Sequence, residues 1–132
     1  MEGYLLQDWT TIRAAATTTF VAQSELGWLD LLDYRDAIFW LEVKARNVGG
    51  GTDLFMRYET APSKDEALFL LMTPAFRMTA SALPDVKKVI EATNPSVPVC
   101  RWVRWRMEAE APVSEWSATF RIHCAANRGG LR

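Results

Sequence analysis

Apolar and polar side chains alternate with a period of two along most of this chain, the pattern of β-strands with one buried face. From Glu115 to Asn127, Trp116, Ala118, Phe120, Ile122, Cys124 and Ala126 share one face. Glu115, Ser117, Thr119, Arg121 and His123 occupy the other. Between Arg101 and Glu108, Val103, Trp105 and Met107 oppose Trp102, Arg104, Arg106 and Glu108. Only a loop around Ala111-Pro112-Val113-Ser114 separates these stretches, so they are expected to pair as an antiparallel hairpin.

Ala37, Phe39, Leu41, Val43 and Ala45 alternate with Ile38, Trp40, Glu42, Lys44 and Arg46 in the same manner. The following segment, Asn47 to Thr52, contains Gly49, Gly50 and Gly51 and is expected to form a hairpin turn, because glycine reaches positive φ without steric cost. Asp53 to Thr60 gives another strand, and Glu66 to Thr73 and Phe76 to Ser81 give shorter ones divided by Pro74. Ala15 to Gln23, rich in Thr, Phe and Val, also fits a strand. Two segments have two readings each. Tyr4 to Ile12 fits a strand or a short arm, which makes residues 1–13 a candidate N-terminal arm. Asp85 to Thr93 fits a helix capped by Asp85, or an edge strand guarded by Lys87 and Lys88, and the strand is the preferred reading. The expected fold is one all-β domain over residues 1–132, an antiparallel β-sandwich of jelly-roll type with about seven or eight strands.

Composition agrees with a single globular domain: 132 residues, 49% hydrophobic, 23% charged. A net charge of −1 gives no overall basic balance for nucleic acid, which is not an expected partner. The start, Met1-Glu2-Gly3-Tyr4, carries an acid where a secretory signal carries a base, and the longest apolar run, Ala67 to Met72, is far too short for a membrane span. Synthesis in a cytoplasm, without membrane insertion, is the expectation. Cys100 and Cys124 are too few for a disulfide framework and too far apart for a CxxC motif, so both are expected to be free.

The chemistry-bearing residues are sparse. His123 is the one histidine, which excludes a metal centre built on several imidazoles, and its polar-face position marks it as a surface residue. Gly49-Gly50-Gly51 leads into a strand rather than the helix a phosphate-binding loop requires. Asp30, Asp33 and Asp36 come close together, but in a polar link where solvated acids are the simpler reading than a glycosidase pair. No catalytic, cofactor-binding or metal-binding residue is assigned, and an enzyme is not expected.

Recognition is the better prospect. Trp105 and Trp116 fall on apolar faces and belong to the core, whereas Trp40 and Trp102 sit among charged residues. Tryptophan and arginine dominate interface hot spots, so Trp40, Trp102, Arg104, Arg106 and Arg121 form the candidate interface. If the final two strands pair, Arg104, Arg106, Arg121 and His123 gather around Trp102. Such a face could meet an acidic protein, such as another copy through Asp30, Asp33 and Asp36, a sulfated or phosphorylated glycan, or nucleic acid through phosphate contacts and stacking. A solvated face balanced by Glu108 and Glu115 is the plain alternative.

Leu29 to Ala37, Tyr58 to Glu66, Val97 to Trp105 and Trp116 to Ile122 together resemble small β-sandwich proteins encoded among the structural genes of tailed phages and phage-like particles. The resemblance spans about Phe20 to Asn127 and lies in strand-and-turn texture, leaving Met1 to Thr19 outside it. It implies a non-enzymatic particle subunit: a head-decoration, minor capsid or tail-associated protein, contacting copies of itself or other particle proteins. A carbohydrate- or other ligand-binding sandwich using Trp40 or Trp102 is the rival reading.

Overall fold

The computed structural model describes residues 2–48, 53–72, 76–77, 86–92 and 99–128. Ten strand segments occur among them: β1 (Glu2–Ala14), β2 (Phe20–Ala22), β3 (Leu29–Asp30), β4 (Tyr34–Asn47), β5 (Asp53–Ala61), β6 (Leu70–Leu71), β7 (Phe76–Arg77), β8 (Val86–Ala92), β9 (Trp102–Glu110) and β10 (Trp116–Arg128). The helical pieces among the described residues are two single 3-10 turns, Glu25–Gly27 and Glu66–Leu68.

Sheet A has the order β1-β10-β4-β8, and sheet B the order β2-β9-β5-β6, with β3 also on β9 and β7 also on β5. Every pairing is antiparallel. Taking β2 with β3, and β6 with β7, as two interrupted strands leaves eight strand positions. The outermost pair with each other (β1 with β10), then the next (β2 and β3 with β9), then β4 with β8, then β5 with β6 and β7. Nested pairing of this kind, wound so that β10 also joins β4 and β9 also joins β5, is the double Greek key of a jelly roll.

The sheets face each other across a core that the period-two pattern places correctly. Ala37, Phe39, Leu41 and Val43 of β4 and all six even-numbered residues of β10 from Trp116 to Ala126 are buried. Leu54, Met56 and Tyr58 of β5 and Val103, Trp105 and Met107 of β9 meet them from sheet B. Phe39 stacks on Tyr58 at 4.1 Å, and Trp105 meets Phe120 edge-on at 4.9 Å, so each of these pairs joins the two sheets. Gln23 adds a polar tie. Its side-chain amide donates to the carbonyls of Leu6 (2.6 Å) and Gly27 (2.8 Å) and accepts from the Trp105 N–H (3.3 Å), linking β1, the first 3-10 turn and β9.

Several expectations change. The final two strands form no hairpin: β9 lies in sheet B and β10 in sheet A. Alternation encodes which side chains are buried but not which sheet a strand joins. The five residues of the 111–115 link can span roughly 16 Å, enough to cross sheets about 10 Å apart. Ala111 turns the chain with a φ of 51°. Likewise β4 and β5 belong to different sheets, so residues 47–52 connect sheets rather than strand neighbours; Gly49 to Thr52 lie outside the described residues.

Residues 2–14 are no arm but an edge strand paired along β10, with two register shifts between Leu5 and Thr10. These bulges let both Leu6 and Gln7 face inward, where Gln7 Oε1 accepts from Trp105 Nε1 at 3.0 Å. The strand expected over 15–23 shrinks to β2. The one expected over 66–73 starts instead as a 3-10 turn, because the Asp65 carboxylate accepts from the Ala67 N–H and caps it. Residues 86–92 are a strand at the edge of sheet A. Of the strand expected over 76–81, residues 78–81 lie outside the described residues.

Candidate functional site

Placing β9 and β10 in different sheets divides the expected interface. Trp102, Arg104 and Arg106 stand on the outer face of sheet B, and Trp40, Arg121 and His123 on the outer face of sheet A, with the core between them. The cluster of arginines around Trp102 therefore does not form.

On sheet B the register sets Arg104 opposite Glu59 and Arg106 opposite Arg57. Arg104 is 3% exposed despite its polar-face position. Its Nε donates to Glu59 Oε1 at 2.9 Å, and its Nη1 also pairs with Glu66. Two rings cover it, Phe69 at 4.0 Å and Trp28 at 5.6 Å, and these rings meet each other edge-on at 4.8 Å. The 3-10 turns carrying these aromatics thus form a roof over the sheet. Arg106 pairs with Glu108 at 2.9 Å and lies 4.1 Å from the ring of Phe20, and Arg57 pairs with the same glutamate. Directly opposed arginines repel; Glu108 between them offsets this. Trp102 is half-buried, with Lys64 Nζ 4.4 Å and the Arg101 guanidinium 5.2 Å from its ring.

On sheet A, Arg121 grips Glu42 through both carboxylate oxygens, at 2.8 and 2.9 Å, and packs 4.7 Å from the ring of Trp9. His123 Nε2 lies 3.2 Å from the same Glu42. Trp40 is half-buried, opposite His123 in the register. Trp9 is 42% exposed, and Lys44 approaches its ring at 5.8 Å.

The acidic complement expected from a second chain is thus supplied within this one, by Glu42, Glu59, Glu66 and Glu108. Asp30, expected as an intermolecular partner, engages Arg101 at 3.1 and 3.2 Å, and that guanidinium holds its carboxyl below the ordinary range. No group of three or more His, Cys, Asp or Glu among the described residues could hold a metal ion, and no helix there is long and apolar enough to cross a membrane. A shallow cleft of about 260 Å³ lies on sheet B between Phe20, Phe55, Arg57, Arg106, Glu108 and Glu110, in which Arg57 and Arg106 are already paired with Glu108.

On sheet B the roof leaves apolar side chains exposed. Leu26, on the first roof turn, is 98% exposed; Leu68, on the second, and Leu70 and Leu71, on β6 beside it, are also exposed. Contact between Trp28 and Phe69 makes the two turns neighbours. Sequence reasoning passed over Leu68, Leu70 and Leu71 because Ala67 to Met72 is a continuous apolar run, the ordinary mark of a buried strand, and over Leu26 because a lone leucine between Glu25 and Gly27 carries no periodic signal. The signal that marks the exposed turn is Asp65, two residues before Ala67, in the N-cap position.

No protein-family model, curated protein or solved structure matches this chain.

Proposed function

We propose that this chain is a non-enzymatic structural subunit of a phage or phage-like particle, a head-decoration, minor capsid or tail-associated protein that acts through protein–protein contacts. The observation that carries the reading is the leucine-bearing roof of sheet B. Exposed apolar side chains gathered on adjoining turns mark interaction surfaces, whereas single exposed leucines need no explanation. The neighbouring charges strengthen the choice of surface, since Arg104 and Arg106 are neutralised within the chain and have no need of a partner. The texture shared with small phage β-sandwiches supplies the particle.

Particles purified from the source, stripped of loosely bound protein and digested for mass spectrometry, should contain this chain at a fixed copy number. Its recovery only in the unassembled fraction would overturn the reading. A second reading, a carbohydrate- or ligand-binding sandwich, draws on Trp9 and Trp40 flanking Glu42 and His123 on sheet A. It requires tryptophan fluorescence to change on titration with soluble oligosaccharides.

A further inference from the structure

The two outer faces of the sandwich differ in what they leave unmatched. Around the leucines of the roof stand Glu25, Asp65 and Glu66, all exposed at the surface; the Glu66 side chain is 66% exposed even while it pairs with Arg104. The nearest cation in sequence, Lys64, is drawn over Trp102. The outer face of sheet A has the opposite character. Arg121 and Glu42 cancel, which leaves Lys44 beside Trp9, and Arg13, opposite Ser117, without a carboxylate partner among the described residues. Leu5 and Trp9 give this face its own exposed apolar surface.

We propose that copies of this chain associate head to tail, the roof of sheet B in one copy docking on the Trp9 face of sheet A in the next. Complementarity fixes the direction. Two roofs brought together would oppose Glu25, Asp65 and Glu66 with their own kind, and two sheet A faces would oppose Lys44 and Arg13. Roof against sheet A sets carboxylates beside cations and leucines beside a tryptophan, the residue type most enriched at the centres of interfaces. Because the two faces belong to opposite layers of the sandwich, the contact is heterologous, and successive copies build a ring or a filament rather than a closed two-fold dimer. The inference rests on the particle-subunit reading and specifies the partner that the roof receives.

Sedimentation velocity on the full chain tests it. The wild type should show a mass above 14.9 kDa that rises with protein concentration and falls with added salt, as screening shortens from about 10 Å at 0.1 M to about 3 Å at 1 M. Leu26→Glu spoils the roof, and the pair Lys44→Glu with Arg13→Glu spoils the sheet A face. All three positions are exposed, so the melting temperature serves as the check that each variant folds. Each variant alone should weaken self-association by about tenfold or more. Mixed, the two should form a 1:1 pair of twice 14.9 kDa and nothing larger, since each contributes one intact face. Wild-type-like association of the Lys44 and Arg13 variant, with Leu26→Glu monomeric, would show a roof-to-roof dimer and overturn the proposal. A mixture that stays monomeric would overturn it too. So would a wild type that is monomeric at every concentration, an outcome that leaves the particle-subunit reading standing, with a different protein as the partner of the roof.

Discussion

Glu59→Ala should be among the most damaging single substitutions on the outer surface of either sheet. The carboxylate it removes is the buried partner of Arg104, at 2.9 Å, and the two side chains are 8% and 4% exposed. Without it the guanidinium remains beneath Trp28 and Phe69, cut off from water on the side where Glu59 stood. Removing one member of a buried ion pair costs about 3–5 kcal/mol, here most of it the penalty of a buried guanidinium left with only the solvent-exposed Glu66 at its Nη1. At about 3–5 °C per kcal/mol for a domain of this size, the midpoint of thermal unfolding should fall by roughly 10–20 °C. Glu66→Ala removes the other carboxylate that touches Arg104, but a solvated one, and should cost under about 1 kcal/mol. The double variant Glu59→Leu with Arg104→Met removes both buried charges and should return to within about 1 kcal/mol of the wild type, because apolar groups of similar volume replace a buried pair at little cost. Thermal and urea denaturation followed by circular dichroism would separate the three. Equal losses from Glu59→Ala and Glu66→Ala, or a double variant as unstable as Glu59→Ala, would refute the assignment of Arg104 as a buried, roofed charge.

Three other outcomes follow from the geometry. A Cβ on Gly27 would lie 2.7 Å from Gln23 Nε2, an atom already held by two carbonyls, so Gly27→Ala should lower stability by about 1–3 kcal/mol in urea titration. Burial pushes the Cys124 thiol up to about 12 from 9.0; the folded chain keeps its proton where the unfolded chain loses it, so stability should decline as pH rises from about 9 towards 12. Cys124→Ala should lessen that decline, and in the wild type Cys100 should react with a thiol reagent before Cys124, which waits for unfolding. Ala111 holds a φ of 51°, and Ala111→Gly should raise the unfolding free energy by about 0.5–1 kcal/mol.

The legible part of this fold was the part that depends on which side of a strand a residue faces. Phe120 and Trp116 on β10, and Val103 and Trp105 on β9, lie in the core because the pleat alone dictates it. The pairing of strands was not legible. In a jelly roll the partners are set by nested, long-range closure, β1 with β10 and β2 with β9, while a short loop such as 111–115 suggests a hairpin that the chain does not make. The expected gathering of Arg121 and His123 around Trp102 failed for the same reason. Arg104 on the polar side of β9 looked solvent-facing because Glu59, Trp28 and Phe69 reach it only through β5 and two turns far off in sequence. Trp9 went unassigned while residues 1–13 stood as a candidate arm, and it gained its place under Arg121 only when that segment became the edge of sheet A.

Hydroxyl-radical footprinting of the chain, free and within purified particles, tests the central claim most directly, because the roof leucines and their controls are read in one digest. In the free chain Leu26 and Leu70, 98% and 61% exposed, should be oxidised readily, as should Leu32 and Val113, at 54% and 66% exposed, which belong to neither roof turn nor to β6. Within particles, strong protection of Leu26 and Leu70 with continued oxidation of Leu32 and Val113 is the expected result. Leu26 and Leu70 oxidised as fast in the particle as in the free chain would contradict the roof of sheet B as the contact surface.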